Sequence, residues 1–216
     1  MAWFKCCGGS SGGSKITPTF TETLIADNTL LSADITFNET WKNYQILKFV
    51  LCETGDTSNQ RVFYMLSSQL ERLADASLRL RVHFDSGYTQ YVISDTELTR
   101  KLTANFTIYS VSGLTANNCT VSETVLFNAG SALNTETDIT NIAPFDYDLI
   151  FVTVNFSSND GMASRSIIAP YEDNEPFKEF MWFYVGYDWG YNQHIYLTDS
   201  SMSSAKYYSV TGINFT

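Results

Sequence analysis

The chain has 216 residues, a formal net charge of −10 and a pI near 4.5. This acidity argues against non-specific nucleic-acid binding, which needs clustered Lys and Arg to displace counterions from phosphates. No stretch approaches the roughly 20 apolar residues of a membrane span, and the first residues lack the apolar core of a secretory signal. We therefore expect no nucleic-acid partner, no membrane partner, and synthesis in a cytoplasm.

Residues 1–17 form a segment of their own. An apolar and cysteine-rich tip precedes Gly8–Ser14, a run whose composition is typical of flexible linkers. An apolar tip on such a linker predicts an anchor, and a disordered terminus is the alternative. A vicinal cysteine pair alone is too small for structural zinc, which takes about four ligands. The predicted anchor residues are Trp3, Phe4, Cys6 and Cys7.

The next hundred residues read as short strands with polar turns. Apolar and polar residues alternate over Leu31–Thr36, which predicts a strand with one buried face. Tyr44–Cys52 is more apolar and predicts a central strand, and Ser68–Ala76 is the one helix-like stretch. About seven strands at this spacing are typical of a β sandwich. The other predicted strands are Thr19–Ile25, Arg61–Leu66, Leu78–Phe84, Tyr88–Ser94 and Asn105–Val111.

The second half of the chain repeats the first. Four short matches occur in the same order, each separated by 99 to 103 residues. The sequence therefore predicts an all-β fold of two tandem antiparallel β-sandwich modules, jelly-roll-like, at 18–115 and 116–216. The matches are Glu22–Ile25 with Glu123–Leu126, Tyr44 with Tyr147, Asp85–Gln90 with Asp188–Gln193, and Tyr109–Leu114 with Tyr208–Ile213.

The sequence offers little for catalysis. The two histidines, His83 and His194, do not occupy matching positions in the repeat, and acidic pairs lie in polar loops. Gly-x-Ser-x-Gly occurs only in the Gly/Ser run, where no strand-turn-helix can hold a nucleophile. Cys52 is expected to be a buried free thiol and Cys119 a linker residue, so no disulfide is expected. We expect a protein that is not an enzyme and has no cofactor or metal.

The repeated Asp-x-Gly-Tyr-x-Gln motif predicts a hairpin turn, in which Asp bonds nearby backbone and Gly adopts positive φ. The alternative is a site at the loop tip, with Tyr88 and Tyr191 as contacts for a partner or a sugar. Structure is the simpler explanation because both modules keep the motif.

Aromatic residues are dense around the second motif, and they occupy positions on both faces of the predicted strands. One sheet face cannot bury both sets, so a subunit contact is the first interpretation and a glycan-stacking surface the second. The candidate contact residues are Trp182, Trp189, Tyr191 and Tyr88.

Thr124–Ser131, an alternating Thr/Asp stretch, and Phe145–Val152 together resemble modules of bacteriophage tail and fibre proteins. In the first module Trp41–Leu47 takes the place of the tyrosine strand, and Asn28-Thr29 stands where the family has Gly-Ser. The resemblance implies a β-rich homo-oligomer, often a trimer, that contacts other virion proteins and is attached by its N-terminal segment. No catalytic or binding residue follows from it.

These observations predict a structural virion protein made in the bacterial host cytoplasm, with tail, baseplate or fibre preferred. A capsid fibre or decoration protein is the close alternative. A carbohydrate-binding module that recognises a host-surface glycan is the competing class, and a glycan hydrolase is weaker still.

Overall fold

A computed structural model describes residues 16–84, 87–128, 139–140, 147–157, 161–167, 183–188, 191–197, 201–203 and 207–216. Strands dominate these residues, and the pairing between strands is mainly antiparallel. The predicted all-β class is therefore confirmed. Within the same ranges, no helix has the length and apolar character needed to cross a membrane.

Eight strands and two short helices come from the first half of the chain. A 3-10 helix covers Trp41–Asn43, and α1 covers Ser67–Asp75, where the sequence predicts its one helix. The strands are β1 (Phe20–Asp27), β2 (Ile35–Thr36), β3 (Ile46–Glu53), β4 (Asp56–Leu66), β5 (Arg79–Phe84), β6 (Gly87–Ile93), β7 (Glu97–Arg100) and β8 (Phe106–Ala116).

The second half contributes the remaining described strands. They are β9 (Val121–Asn128), β10 (Ile139–Thr140), β11 (Leu149–Ser157), β12 (Gly161–Ile167), β13 (Phe183–Asp188), β14 (Tyr191–Leu197), β15 (Ser201–Ser203) and β16 (Tyr207–Phe215).

The chain folds as two compact units. The N-terminal unit comprises Thr21–Thr115 and the later segment Phe156–Arg165. The C-terminal unit comprises Ala116–Asn155 and Ser166–Thr216, together with the chain that leads to Phe20.

Two sheets build the N-terminal unit. One has the strand order β1-β8-β3-β4, so the predicted central strand is indeed central. The other has the order β2-β7-β6-β5, and β12 adds to it beside β5 in parallel orientation. Apolar side chains from both sheets are fully buried, among them Phe49 on β3 and Leu80 on β5. A polar link joins the sheets, because the Tyr91 hydroxyl on β6 lies 3.3 Å from the Thr107 hydroxyl on β8.

The C-terminal unit contains the strand order β9-β16-β11 and a second group ordered β10-β15-β14-β13. The β9–β16 ladder runs from Val121 opposite Phe215 to Asn128 opposite Ser209. Phe20 packs edge-on against Phe215, with ring centroids 5.8 Å apart. The chain before the first strand is tied to the same unit, since the Thr19 backbone N–H donates to the Asn118 side chain at 2.8 Å.

Two strand pairs, one in each unit, share the same register. Leu47 on β3 lies opposite Gly113 on β8, and Ile150 on β11 lies opposite Gly212 on β16. Both ladders shift register three residues further along β3 and β11, after Val50 and after Thr153. The β3–β8 and β11–β16 ladders therefore share both the regular register and the position at which that register shifts.

The predicted strand over Leu31–Thr36 is wrong for most of its length, because only Ile35 and Thr36 are extended in a sheet. The buried side chain of Asn28 holds the preceding residues in a loop. It donates to the Ser32 carbonyl at 3.0 Å and accepts from the Ser32 N–H at 2.9 Å. Leu31 adopts a positive φ of 55° within this loop. Local side-chain bonds of this kind compete with strand pairing.

Candidate functional site

Two of the predicted contact residues lie on hairpin strands. Tyr88 is on β6 opposite His83, and Tyr191 is on β14 opposite Asp188. Trp182 and Trp189 lie outside the described residues, and so do the predicted anchor residues Trp3, Phe4, Cys6 and Cys7. The proposed roles of all eight residues stay predictions.

The repeated Asp-x-Gly-Tyr-x-Gln motif falls at a hairpin in both units, as predicted, but it occupies different positions there. The β5–β6 ladder ends on the motif's glycine, with Gly87 opposite Phe84. The β13–β14 ladder ends on the motif's tyrosine, with Tyr191 opposite Asp188. A register shift between Tyr184 and Tyr187 accompanies the change. The motif therefore marks a hairpin without fixing one hydrogen-bond register.

The aromatic-rich hairpin of the C-terminal unit consists of β13 and β14, and it lies at one end of its sheet. In the order β10-β15-β14-β13, β13 is the last strand and pairs only with β14 among the described residues. Its sequence begins Phe183-Tyr184 and includes Tyr187. An end strand presents backbone N–H and C=O groups that a further strand can pair with.

A second sheet end lies at β4 in the N-terminal unit. This strand has 11 residues, and its part from Asp56 to Val62 is largely exposed. Two carbonyls in that part accept bonds from exposed side chains: Gln60 Nε2 donates to the Thr57 oxygen at 3.0 Å, and an Arg61 guanidinium nitrogen donates to the Gln60 oxygen at 3.2 Å. These donors can exchange for a partner's backbone at small cost, because exposed side chains are also solvated by water.

An ion pair lies on the sheet beside this end. Lys48 Nζ lies 2.8 Å from both carboxyl oxygens of Glu22. Burial acts to raise the pKa of Glu22, but hydrogen bonds from Lys48 and Ser112 and the Lys48 charge bring that pKa below its ordinary value. Burial, and then the Glu22 charge, raise the pKa of Tyr64 on β4. These four residues form a polar row across the sheet face: Glu22 on β1, Ser112 on β8, Lys48 on β3 and Tyr64 on β4.

Apolar side chains are exposed near this row and at the corresponding place in the other unit. Leu24 on β1 and Val125 on β9 are each 50% exposed, and they occupy equivalent positions of the repeated Glu-Thr-x-x stretch. Val62 on β4 is 48% exposed. Single exposed apolar side chains are common on protein surfaces. These three residues therefore do not by themselves define a binding site.

The thiols that the structure describes are not activated. Cys52 is buried and Cys119 is half-buried, and both are free, as the sequence predicts for Cys52. Burial, with a smaller contribution from Asp56, raises the pKa of Cys52. Burial, followed by the Asp148 charge, raises the pKa of Cys119. Both thiols are therefore held in the protonated form, which is a weak nucleophile.

No metal-binding group of three or more His, Cys, Asp or Glu occurs within the described ranges. The described residues also present backbone hydrogen-bonding groups at the sheet ends, among them β4 and β13. Sequence reasoning missed the first of these because Gly55–Asn59 reads as a turn, whereas β4 already begins at Asp56. Thr57 and Ser58 give no hydrophobic alternation that would have revealed the strand.

Comparison with protein-family models, with curated proteins and with solved structures found no match.

Proposed function

We propose that the chain is a non-enzymatic structural protein of a bacteriophage virion, in the tail, baseplate or fibre. Its two halves are β-sandwich modules that arose by duplication, and residues 1–17 attach it to the particle. Copies associate through the aromatic-rich part of the second module. The proposal starts from the resemblance of Thr124–Ser131 and Phe145–Val152 to modules of such proteins.

One structural observation supports the duplication most directly. Tyr44 covers Gly113 so closely that a Cβ on residue 113 would overlap its ring, and Tyr147 covers Gly212 in the same way. Each tyrosine comes three residues before the strand residue that faces the glycine, which is Leu47 in one unit and Ile150 in the other. Unrelated strands have no reason to share this contact and the register shift that follows.

The order of the strands supports the same proposal. In the N-terminal unit β1, β8 and β3 are successive neighbours, and in the C-terminal unit β9, β16 and β11 are. The second groups also correspond strand by strand, as β2-β7-β6-β5 and β10-β15-β14-β13. A scaffold of two similar modules suits a structural protein that presents a repeated surface and binds other copies of itself.

The composition of purified particles tests the virion assignment. Particles are banded by density from the lysate of the bacterium that carries the gene, and their proteins are identified by mass spectrometry. We expect the chain in the particle band at several copies per particle, and gold-labelled antibodies against it on the tail. Its absence from particles, with free protein in the lysate, would overturn the proposal, and labelling of the head would move it to the capsid.

A further inference from the structure

The N-terminal unit shows how this fold extends a sheet. Strand β5 would be the last strand of the order β2-β7-β6-β5, but β12 lies beside it in parallel orientation. Met162 is opposite Leu80, and Ala163 is opposite Arg81. Both of these β12 residues belong to the later segment Phe156–Arg165 of the N-terminal unit.

The repeat identifies two counterparts of these strands. The counterpart of β5 is β13, since both end their groups in the corresponding strand order. The counterpart of β12 is β4, because β4 follows β3 as β12 follows β11. Among the described residues, β4 has only β3 as a neighbour and β13 has only β14. The chain thus contains one pair of joined edges and one equivalent pair that is not joined.

Strand β4 has the features of an edge that accepts a partner. Long exposed edges are usually protected by proline, by bulges or by shortness. Strand β4 has 11 residues and no proline. Its pairing with β3 is irregular between Asp56 and Gln60 but regular from Gln60 to Leu66, so this second part is the edge that a partner strand can use. Arg61 is the one charged residue of that part. At the start of this regular part, the Gln60 carbonyl accepts from an exposed Arg61 guanidinium nitrogen at 3.2 Å, a donor that a partner's backbone N–H can displace.

We propose that β4 of one copy pairs in parallel with β13 of a second copy, repeating between chains the pairing of β5 with β12. This inference rests on the proposed function only for its biological setting, since it names the contact through which the virion protein assembles. One chain presents β4 and the other presents β13, so the contact is head-to-tail. Such contacts close into a ring or continue as a filament.

The repeat also gives the register of the proposed pair. Positions 44 and 147 differ by 103 residues, and the same offset relates Ala163 to Gln60 and Arg81 to Tyr184. Gln60 of one copy is then opposite Tyr184 of the next. Neighbouring strands lie about 4.8 Å apart, which is within the Cα separation of about 4.4–6.8 Å that a disulfide spans.

Cysteine cross-linking in solution tests the contact on the full-length chain with all four native cysteines removed. Cys6, Cys7 and Cys119 are replaced by Ser, and the buried Cys52, which lies opposite Gln60 on β3, is replaced by Ala. Gln60→Cys and Tyr184→Cys are made as separate variants, and each is checked by circular dichroism. Mild oxidation of their equimolar mixture is expected to give a covalent dimer, whereas each variant alone stays monomeric under non-reducing electrophoresis. The double variant is expected to form a ladder of linked chains.

Leu30→Cys mixed with Tyr184→Cys is the matched control. Leu30 is 90% exposed and lies just after β1, which is at the opposite end of the sheet from β4. Equal dimer yield in this control overturns the proposal, as does a folded mixture that gives no dimer. An internal bridge within single copies of the double variant overturns it too, because the second copy is then not the partner. If the chain cross-links but is absent from particles, the virion role alone is rejected. If the chain is present in particles but does not cross-link, the contact alone is rejected.

Discussion

The ring of Tyr44 fills the space that a side chain at Gly113 would need, one strand away across the β3–β8 ladder. The Cγ atom of the ring is the first atom that a Cβ there would meet. This atom is the base of the ring and cannot turn aside, so the chain or the whole tyrosine must move.

Gly113→Ala is therefore expected to lower the free energy of unfolding by about 1–3 kcal/mol, as overpacking does. Gly212→Ala is expected to act in the same way through Tyr147. Urea unfolding followed by circular dichroism measures both. Gly55→Ala is the control, because a Cβ at Gly55 meets nothing within 4 Å. Replacing Tyr44 by Ala in the Gly113→Ala background should make the two effects non-additive. Strict additivity would show that the ring is not the cause.

Asn28→Ala is expected to destabilise the protein by about 1–3 kcal/mol, because it leaves buried backbone groups without partners. The Asn28 amide donates to the Ile108 carbonyl at 2.8 Å and also holds Ser32. Thermal unfolding measures the loss. Asn38→Ala, at an exposed position, should change the midpoint little. Equal midpoints for the two variants would contradict the role assigned to Asn28.

Glu22→Gln tests the ion pair with Lys48. The folded pKa of Glu22 is lowered, so its contribution to stability is present above the unfolded pKa and is lost as the pH falls through the folded pKa. The pair is partly exposed, with 46% of the Glu22 side chain accessible, and about 0.2–1 kcal/mol at neutral pH is the expected size. Urea midpoints of wild type and variant should converge as the pH is lowered into the acid range. Asp75→Asn, at an exposed residue, is the control, and a pH-independent difference would refute the assignment.

Cys52 is expected to resist alkylation in the native state and to react once the chain unfolds, because it is fully buried and its pKa is raised. Cys119 is half-buried and should react sooner. A chain with Cys6 and Cys7 replaced by Ser, treated with iodoacetamide and digested, gives the two rates by mass spectrometry. Rapid labelling of Cys52 in native protein would show that its strand opens locally.

Deleting residues 2–14 is expected to abolish incorporation into particles while leaving the folded units intact, because we propose that this segment attaches the chain to the particle. Particle composition and circular dichroism are the two measurements. A chain that lacks only Gly8–Ser14 keeps the apolar tip and should still be incorporated. Normal incorporation of the longer deletion would remove the anchor from the proposal.

The sequence predicted the elements whose signal is local and strong. Tyr44–Cys52 is an apolar run, and it forms the central strand β3; Ser68–Ala76 gives α1 within one residue at either end. It failed at Leu31–Thr36, where the alternation is real but the Asn28 side chain fixes a loop from outside the window. Strand β7 (Glu97–Arg100) was missed because four mixed residues carry too little periodicity.

The candidate surface was predictable only in part. The density of aromatic residues led to β13, but the partner edge β4 follows from strand order and not from composition. The pairing of β12 with β5 joins residues about 80 positions apart in the chain, and single-sequence patterns contain no information at that separation. The sequence repeat pointed to β4 as a partner for β13 only once the structure had shown that β12 pairs with β5.

The late origin of β12 has a consequence for synthesis on the ribosome. Thr21–Thr115 emerges first, yet the segment that covers β5 begins at Phe156. At about 5–20 residues per second, the edge of β5 stays open for roughly two to ten seconds of translation. During that interval the nascent N-terminal unit exposes the edge of β5 in addition to the sheet ends at β1, β2 and β4. In the proposed assembly, β5 is therefore covered by its own chain before β4 can pair with another copy.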